Sequence, residues 1–334
     1  MNFFPISSTS HLRDKFWVVV VLNNPCRFKK RVQLFHEFIE RMQKYNVNLC
    51  VVEVAYGEQT FETENLYVPI KVQLKSECIL WQKENMINIG ISRLPSDWKY
   101  VAWIDADIDF IHSGWVDDTI YQLQHYSFIQ LFSDSIDLGP DNEVMSISKS
   151  FGYCFVNKES GFLNNNNNYS YQTDTNTNTN TNTNNINHLL WHPGYAWAAT
   201  REAIDTVGGL FEIGIAGPGD HHMAWSLLGE SEKTLANDVS QDYKDQLIQW
   251  EKRASFLHKN VGYLKGTIYH YWHGKKQNRK YNERWDILIN NNFQPSKDLY
   301  KDWQGLLVLN KGLDKLRDEL RNYFHQRNED SVDL

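Results

Sequence analysis

Along the first third of the chain, unbroken apolar runs alternate with stretches in which apolar residues recur every three or four positions. Residues 17–22 are a continuous run rich in β-branched side chains, the mark of a strand buried on both faces. The run breaks at Asn23, Asn24 and Pro25. From 30 to 45 the apolar positions (Val32, Leu34, Phe35, Phe38, Ile39, Met42) fall at helical spacing. A second buried run at 49–55 completes a βαβ unit, which implies parallel strands and a right-handed crossover. The pattern goes on to predict a strand near 68–72, a helix over 80–94 and a strand at 100–104. This is the front half of an α/β domain of the nucleotide-binding (Rossmann-like) kind, with a mainly parallel sheet whose ligands sit beyond the carboxyl ends of the strands.

Residues 164–187 depart from this pattern. Asn and Thr dominate them, with strict alternation from 175 to 184, and 173–185 contain no apolar residue to offset the entropy of ordering. A disordered surface insert is expected there. The pattern resumes with an aromatic stretch at 191–197 and a short helix at 201–207, which Gly208 and Gly209 are placed to close. Helical periodicity returns at 306–324. The expected organisation is a leader (1–15), one domain (16–290) carrying the insert, and a helical C-terminal extension (291–334).

Composition changes this picture little. A chain of 334 residues, 41% hydrophobic, can bury a large core. Its 12 Trp and 17 Tyr suit a core, and equally suit stacking on nucleobases or sugar rings. A formal net charge of -7 gives no reason to expect a nucleic-acid partner, so any anionic ligand must be met by a metal or a few placed cations. Cys26, Cys50, Cys78 and Cys154 show neither metal-binding spacing nor a disulfide framework. Neither a signal peptide nor a transmembrane segment is visible, and a soluble, cytoplasmic protein is the expectation.

Three clusters carry candidate chemistry. The 100–104 strand ends in Asp105, Ala106, Asp107, with Asp109 just beyond. One such carboxylate can ligate a hard divalent cation, Mn²⁺ or Mg²⁺, while the other accepts a ribose hydroxyl; solvated turn carboxylates give the same pattern. In the second cluster His270 and His273 flank an aromatic pair, and an imidazole can complete the coordination of a borderline metal; two hydrogen-bonded rim histidines fit equally. Lys275, Lys276, Arg279, Lys280 and Arg284 follow, either as a lid over a diphosphate or as a solvated loop. The third cluster runs through Gly217, Pro218, Gly219, Asp220, His221 and His222. Asp220 can serve as general base for an acceptor hydroxyl, with His221 or His222 as substitutes, or as the N-cap of a helix over 223–228.

In this order the clusters resemble the GT-A glycosyltransferases, particularly the β-1,4-galactosyltransferase branch, and also uncharacterised bacterial and large-virus glycosyltransferase-like proteins. The similarity covers about 18–288 without the insert. Pro25 and Arg27 match the end of the family's first strand, and Trp81, Lys83 and Asn88-Ile89-Gly90 match the start of its helix. The resemblance implies that Trp81 stacks on the base, that Lys83 and Arg27 approach the donor, and that Asp105 contacts ribose. It also implies that Asp107 and His273, with His270 in place of a methionine, hold the metal. The acceptor motif is kept only in part, and its catalytic Asp falls opposite His221 by spacing and on Asp220 by residue type. Glu53, near the end of the second strand, is placed to accept a hydrogen bond from the base, and a solvated carboxylate is the other reading. The implied reaction is metal-dependent, inverting transfer of a sugar from a nucleoside diphosphate donor, a UDP-sugar first, to a glycan or other hydroxyl acceptor. A catalytically idle sugar-nucleotide- or glycan-binding protein would keep the metal ligands and alter 217–222. A nucleotidyltransferase would carry a glycine-rich loop after the first strand, and 23–27 contain no glycine.

Overall fold

A computed structural model of the chain describes residues 10–160, 162 and 187–333. After a single helical turn, α1 (Ser10–Arg13), the predicted βαβ unit forms as β1 (Phe16–Asn23), α2 (Lys29–Lys44) and β2 (Asn48–Tyr56), followed by β3 (Ile70–Ser76), α3 (Lys83–Ser92) and β4 (Tyr100–Ile104). Strands β3, β2, β1 and β4 lie side by side and parallel. Alternate residues of β1 serve opposite faces, as a period of two requires. Phe16, Val18, Val20 and Leu22 pack with Phe35, Phe38, Ile39 and Met42 of α2. Trp17 and Val19 pack on the other face with Met86 and Ile87 of α3. A Cβ on Gly90 would come 2.8 Å from Val19 Cγ1 and 3.0 Å from Val52 Cγ2, so glycine sets how closely α3 approaches the sheet. The neighbouring Asn88 accepts a hydrogen bond from Leu210 N at 2.8 Å and donates to Leu210 O at 3.0 Å. The Asn-Ile-Gly run therefore has a packing role.

Next come β5 (Ile108–Phe110), α4 (Trp115–Gln122), β6 (Phe128–Gln130), β7 (Asp134–Leu138), β8 (Val144–Ser150), α5 (Phe151–Val156), β9 (Asn187–His192), β10 (Ala196–Thr200) and α6 (Arg201–Val207). Then follow α7 (Gly219–Leu227), α8 (Gln241–Ala254), β11 (Val261–Tyr263) and β12 (Thr267–His270). The main sheet has the order β11-β6-β10-β4-β1-β2-β3, with β10 alone running against its neighbours. A second sheet, β5-β12-β7-β8-β9, leaves the main one directly after β4. The fold is thus the expected mixed α/β arrangement with a mostly parallel central sheet and flanking helices. Gly208 closes α6 in the left-handed conformation (φ 74°).

Several expectations need correction. The third strand spans Ile70–Ser76 and not 68–72, and α3 begins at Lys83, with Leu80, Trp81 and Gln82 outside the helix. The C-terminal segment is not wholly helical. After α9 (Arg284–Asn290) and α10 (Pro295–Asp298), the apolar residues read as the start of a helix form β14 (Leu307–Leu309), paired with β13 (Leu299–Lys301). Gly312, at φ 86°, separates this hairpin from α11 (Asp314–Gln326). The Asn/Thr insert lies outside the described residues, except for Asn187, the first residue of β9.

Candidate active site

The chain runs outward from β1 to β3 and returns on the other side of β1 as β4, which creates a switch point between β1 and β4. At the carboxyl ends of these two strands lies a cavity of about 560 Å³, within the range of small-molecule sites. Its lining includes Pro25, Trp81, Lys83, Asp105, Asp107, Asp220, His221, His270 and His273, so nine of the eleven candidate residues converge there. The second sheet brings the two late histidines to the early aspartates. His270 stands opposite Ile108 on β5 and opposite Asp137 on β7. The next residue, Tyr271, donates its backbone N–H to Asp107 O at 2.8 Å.

Asp107, His270 and His273 each present a ligand atom, all within 4.8 Å of one another. His273 Nε2 lies 2.9 Å from Asp107 Oδ2 and 2.7 Å from Arg279 Nη2. A guanidinium only donates, so against Arg279 that nitrogen acts as acceptor and cannot also donate to the carboxylate. His270 Nδ1 lies 2.8 Å from Asp137 Oδ1, and its Nε2 is 3.9 Å from Asp107 Oδ1. Asp107 Oδ1 is buried without a hydrogen-bond partner. A carboxylate whose buried Oδ1 has no partner, set between two imidazoles, fits a divalent cation.

Beside this cluster, Lys83 Nζ lies 2.6 Å from Asp105 Oδ1 and 3.0 Å from Asp220 Oδ2. Burial would discharge Lys83, yet Asp105, Asp220 and Glu84 overcome it and raise its pKa. Burial pushes Asp105 up to about 6, with Lys83 opposing and Asp107 and Asp220 assisting. Glu84, 2% exposed behind Lys83, is pushed up to about 8 by burial and by Asp220. A Cβ on Gly219 would fall 2.4 Å from the Glu84 carboxyl, and one on Gly194 would fall 2.9 Å from Asp220 Oδ2. The glycine of the 217–222 motif thus lets the start of α7 close over Glu84. His221 is held neutral by burial, well below its usual range. His222 is deeper, in contact with Thr234 Oγ1 (2.6 Å) and Tyr243 Oη (3.0 Å), and burial takes it down to about 3. It is not among the residues lining the cavity.

Two candidates lie elsewhere. Glu53 lies near the end of β2, which continues to Tyr56. Its buried carboxylate accepts from Glu62 N (2.8 Å), Thr63 N (2.9 Å) and Thr63 Oγ1 (2.6 Å), so it fastens a loop and does not line the cavity. Arg27 is exposed in a left-handed turn (φ 57°), and Arg31, on the first turn of α2, faces the cavity in its stead. Asp220 is not the N-cap of α7; Pro218 holds that position, and the Asp220 carboxylate is committed to Lys83. Trp81 lines the cavity, but Phe324 stacks on it (centroids 6.3 Å apart) and the Arg327 guanidinium sits 5.0 Å from its ring centre. Its Nε1 is buried without a hydrogen-bond partner. Of the basic residues after His273, Arg279 and Arg284 line the cavity, while Lys276 is drawn to Asp137 Oδ2 at 2.5 Å. Sequence reasoning missed Arg31, Glu84, Asp137, Arg327 and Glu329. Each acts through a partner far away in the chain, and no local motif marks it.

All four cysteines are free. No helix among the described residues is long and apolar enough to cross a membrane. No protein-family model matches the chain, and no curated protein matches it in sequence. In structure it is similar to the catalytic domain of Drosophila β1,4-galactosyltransferase 7 in complex with xylobiose (TM-score 0.37, 11% identity, 90% of this chain and 96% of that one). A mutant of the same enzyme with manganese, UDP-Gal and xylobiose matches comparably (TM-score 0.37, 10% identity, 90% and 97%). A nucleotide-diphospho-sugar transferase of Desulfovibrio desulfuricans is also similar (TM-score 0.33, 11% identity, 94% of this chain and 98% of that one).

Proposed function

We propose that this protein is a metal-dependent glycosyltransferase that moves a sugar from a nucleoside diphosphate donor, a UDP-sugar first, to the hydroxyl of a glycan or similar acceptor. The observation that carries the reading is the convergence of Asp107, His270 and His273 at the switch point of the sheet. These residues would hold Mn²⁺ (or Mg²⁺), which supplies charge neutralisation on a leaving diphosphate. Imidazole nitrogen beside carboxylate oxygen suits Mn²⁺ better than the harder Mg²⁺. Arg284 supports an anionic ligand independently. It lines the cavity, is 8% exposed, has an unpartnered Nε, and forms no ion pair among the described residues. A buried guanidinium is costly without a counter-charge, and a diphosphate provides one. Arg279 stands at the metal side of the same wall.

Lys83 positions Asp105 for a ribose hydroxyl and holds Asp220 in reserve. Asp220 is the residue to deprotonate the acceptor, and attack by that oxygen on the face opposite the diphosphate inverts the anomeric carbon. His221, kept neutral by burial, is the substitute. Trp81 would bind the nucleotide through its Nε1–H edge, and Pro25 borders the donor.

A second reading, a sugar-nucleotide- or glycan-binding protein without turnover, draws on the ion pair that commits the Asp220 carboxylate to Lys83. One experiment addresses both. Thermal shifts with UDP-, GDP- and dTDP-sugars, with and without Mn²⁺, should show metal-dependent stabilisation by one donor class, lost in Asp107→Ala. Release of diphosphate from that donor would then separate transfer or hydrolysis from binding. Full donor binding in Asp107→Ala would remove the metal from the account.

A further inference from the structure

The chain after α11 passes directly behind the second metal-site histidine and is fastened there at several points. Gly274, next to His273, has φ 82°, and a Cβ on it would meet Asn328 O at 2.7 Å and Glu329 Cα at 3.0 Å. Trp272 Nε1 donates to Ser331 O at 2.7 Å. Asp330 accepts from the backbone N–H groups of Lys29 (3.0 Å) and Lys30 (2.7 Å), which start α2 and have no side-chain cap of their own. Between these fastenings Glu329 turns inward to 3% exposure, its carboxylate gripped by Arg31 (2.6 and 2.8 Å) and Arg327 (2.6 Å). Its Oε2 lies 3.7 Å from His273 Nδ1, a buried atom without a hydrogen-bond partner.

The two imidazoles are arranged alike. Asp137, also 3% exposed, accepts from Ser146 Oγ, Tyr195 Oη and Lys276 Nζ; as an ionised acceptor it fixes the proton of His270 on Nδ1 and leaves Nε2 toward Asp107. His273 likewise turns Nδ1 to a buried carboxylate and Nε2 to Asp107. A carboxylate behind an imidazole fixes the tautomer and ring orientation and makes the other nitrogen a stronger ligand.

We propose that Glu329 is a positioning residue for His273, which makes the C-terminal tail a working part of the metal centre. The inference rests on the reading of Asp107, His270 and His273 as metal ligands. It assigns Glu329 the part that Asp137 plays for His270, with one difference in construction. Asp137 sits on a strand of the second sheet, whereas Glu329 is delivered by a segment that must first dock on α2.

The test measures metal binding itself. Mn²⁺ affinity is determined by calorimetry for the full chain and for Asp107→Ala, Glu329→Gln and Asp330→Asn, and visible spectra are recorded with Co²⁺ in place of Mn²⁺. Glu329→Gln should weaken Mn²⁺ binding about 10- to 100-fold and alter the Co²⁺ bands, because the geometry and basicity of one ligand change. Asp330→Asn weakens only the docking on α2, and should stay within about threefold of the parent with an unchanged spectrum. Should Glu329→Gln fail to fold, a chain ending at Gln326, which removes Arg327 together with Glu329, should show the same loss. Parent-like affinity and spectrum in Glu329→Gln or in the shortened chain would overturn the assignment while leaving the metal site intact. If Asp107→Ala binds Mn²⁺ as well as the parent, the metal reading fails and this inference falls with it.

Discussion

Glu84 offers a test that needs no ligand. Its carboxyl is 2% exposed and packed against Gly219, and burial, with Asp220 assisting, pushes its pKa from 4.5 up to about 8. The folded state therefore keeps a proton that the unfolded chain gives up above about pH 4.5. Protons bound in excess by the folded state make stability fall as pH rises, so Glu84's contribution is complete below pH 4.5 and is lost on passing about pH 8. The slope is ~1.4 kcal/mol per pH unit inside the window, several kcal/mol in all. Glu84→Gln keeps the shape and cannot ionise, which removes the slope. Urea unfolding at intervals from pH 5 to 9 should show the variant gaining on the parent by ~1 kcal/mol per unit up to about pH 8, with no further gain above it. A difference that stays constant across that range, or one that favours the parent at high pH, would show that Glu84 is ionised in the folded state and that the electrostatic account of the Lys83 cluster is wrong.

Two further outcomes follow from the same structure. Gly90→Ala should destabilise by ~1–3 kcal/mol in chemical denaturation, because the new methyl meets Val19 and Val52 on a sheet face that cannot recede; an effect near zero would mean that α3 is free to shift. Lys83→Met removes the cation shared by Asp105 and Asp220, each about a quarter exposed, and should cost ~3 kcal/mol, the low end for a broken buried pair. Lys83 opposes proton uptake by Asp105, so without it the Asp105 carboxyl binds a proton more readily; the cost must then be larger at pH 8 than at pH 5, and the reverse order in urea titrations would contradict the pairing.

What the sequence disclosed was local. Residues 17–22 and 100–104 are uniformly apolar because both faces of β1 and β4 are covered, and their edges could be read to within a residue or so. Asp105 and Asp107 were legible as a pair because the strand that presents them ends just before them. Glu53 does lie near the end of β2, but the donors that occupy its carboxylate come from a loop whose path no periodicity reveals. Residues 306–309 are consecutively apolar, which fits a helix face and a strand equally, and only pairing with β13 decides. Asp220 looked like a cap because capping is local, whereas Lys83, 137 residues away, is not.

The same division explains why the candidate cluster of Asp107, His270 and His273 had to be read from two separate stretches of sequence. The main sheet contributes its acids through one strand end, and a single-strand argument finds them. The imidazoles arrive on the second sheet, where the pairing of β5 with β12 puts His270 opposite the residue that follows Asp107. A one-residue slip in that register would turn His270 to the other side of the sheet and part it from Asp137 and Asp107 together. Ile108 and Ile268 are buried completely, and such a slip of β12 would turn Ile268, which shares a face with His270, out of the core. The site's geometry is therefore enforced by apolar residues with no part in its chemistry. The carboxylates and the imidazoles cannot be loosened separately, because they flank the same β5–β12 seam.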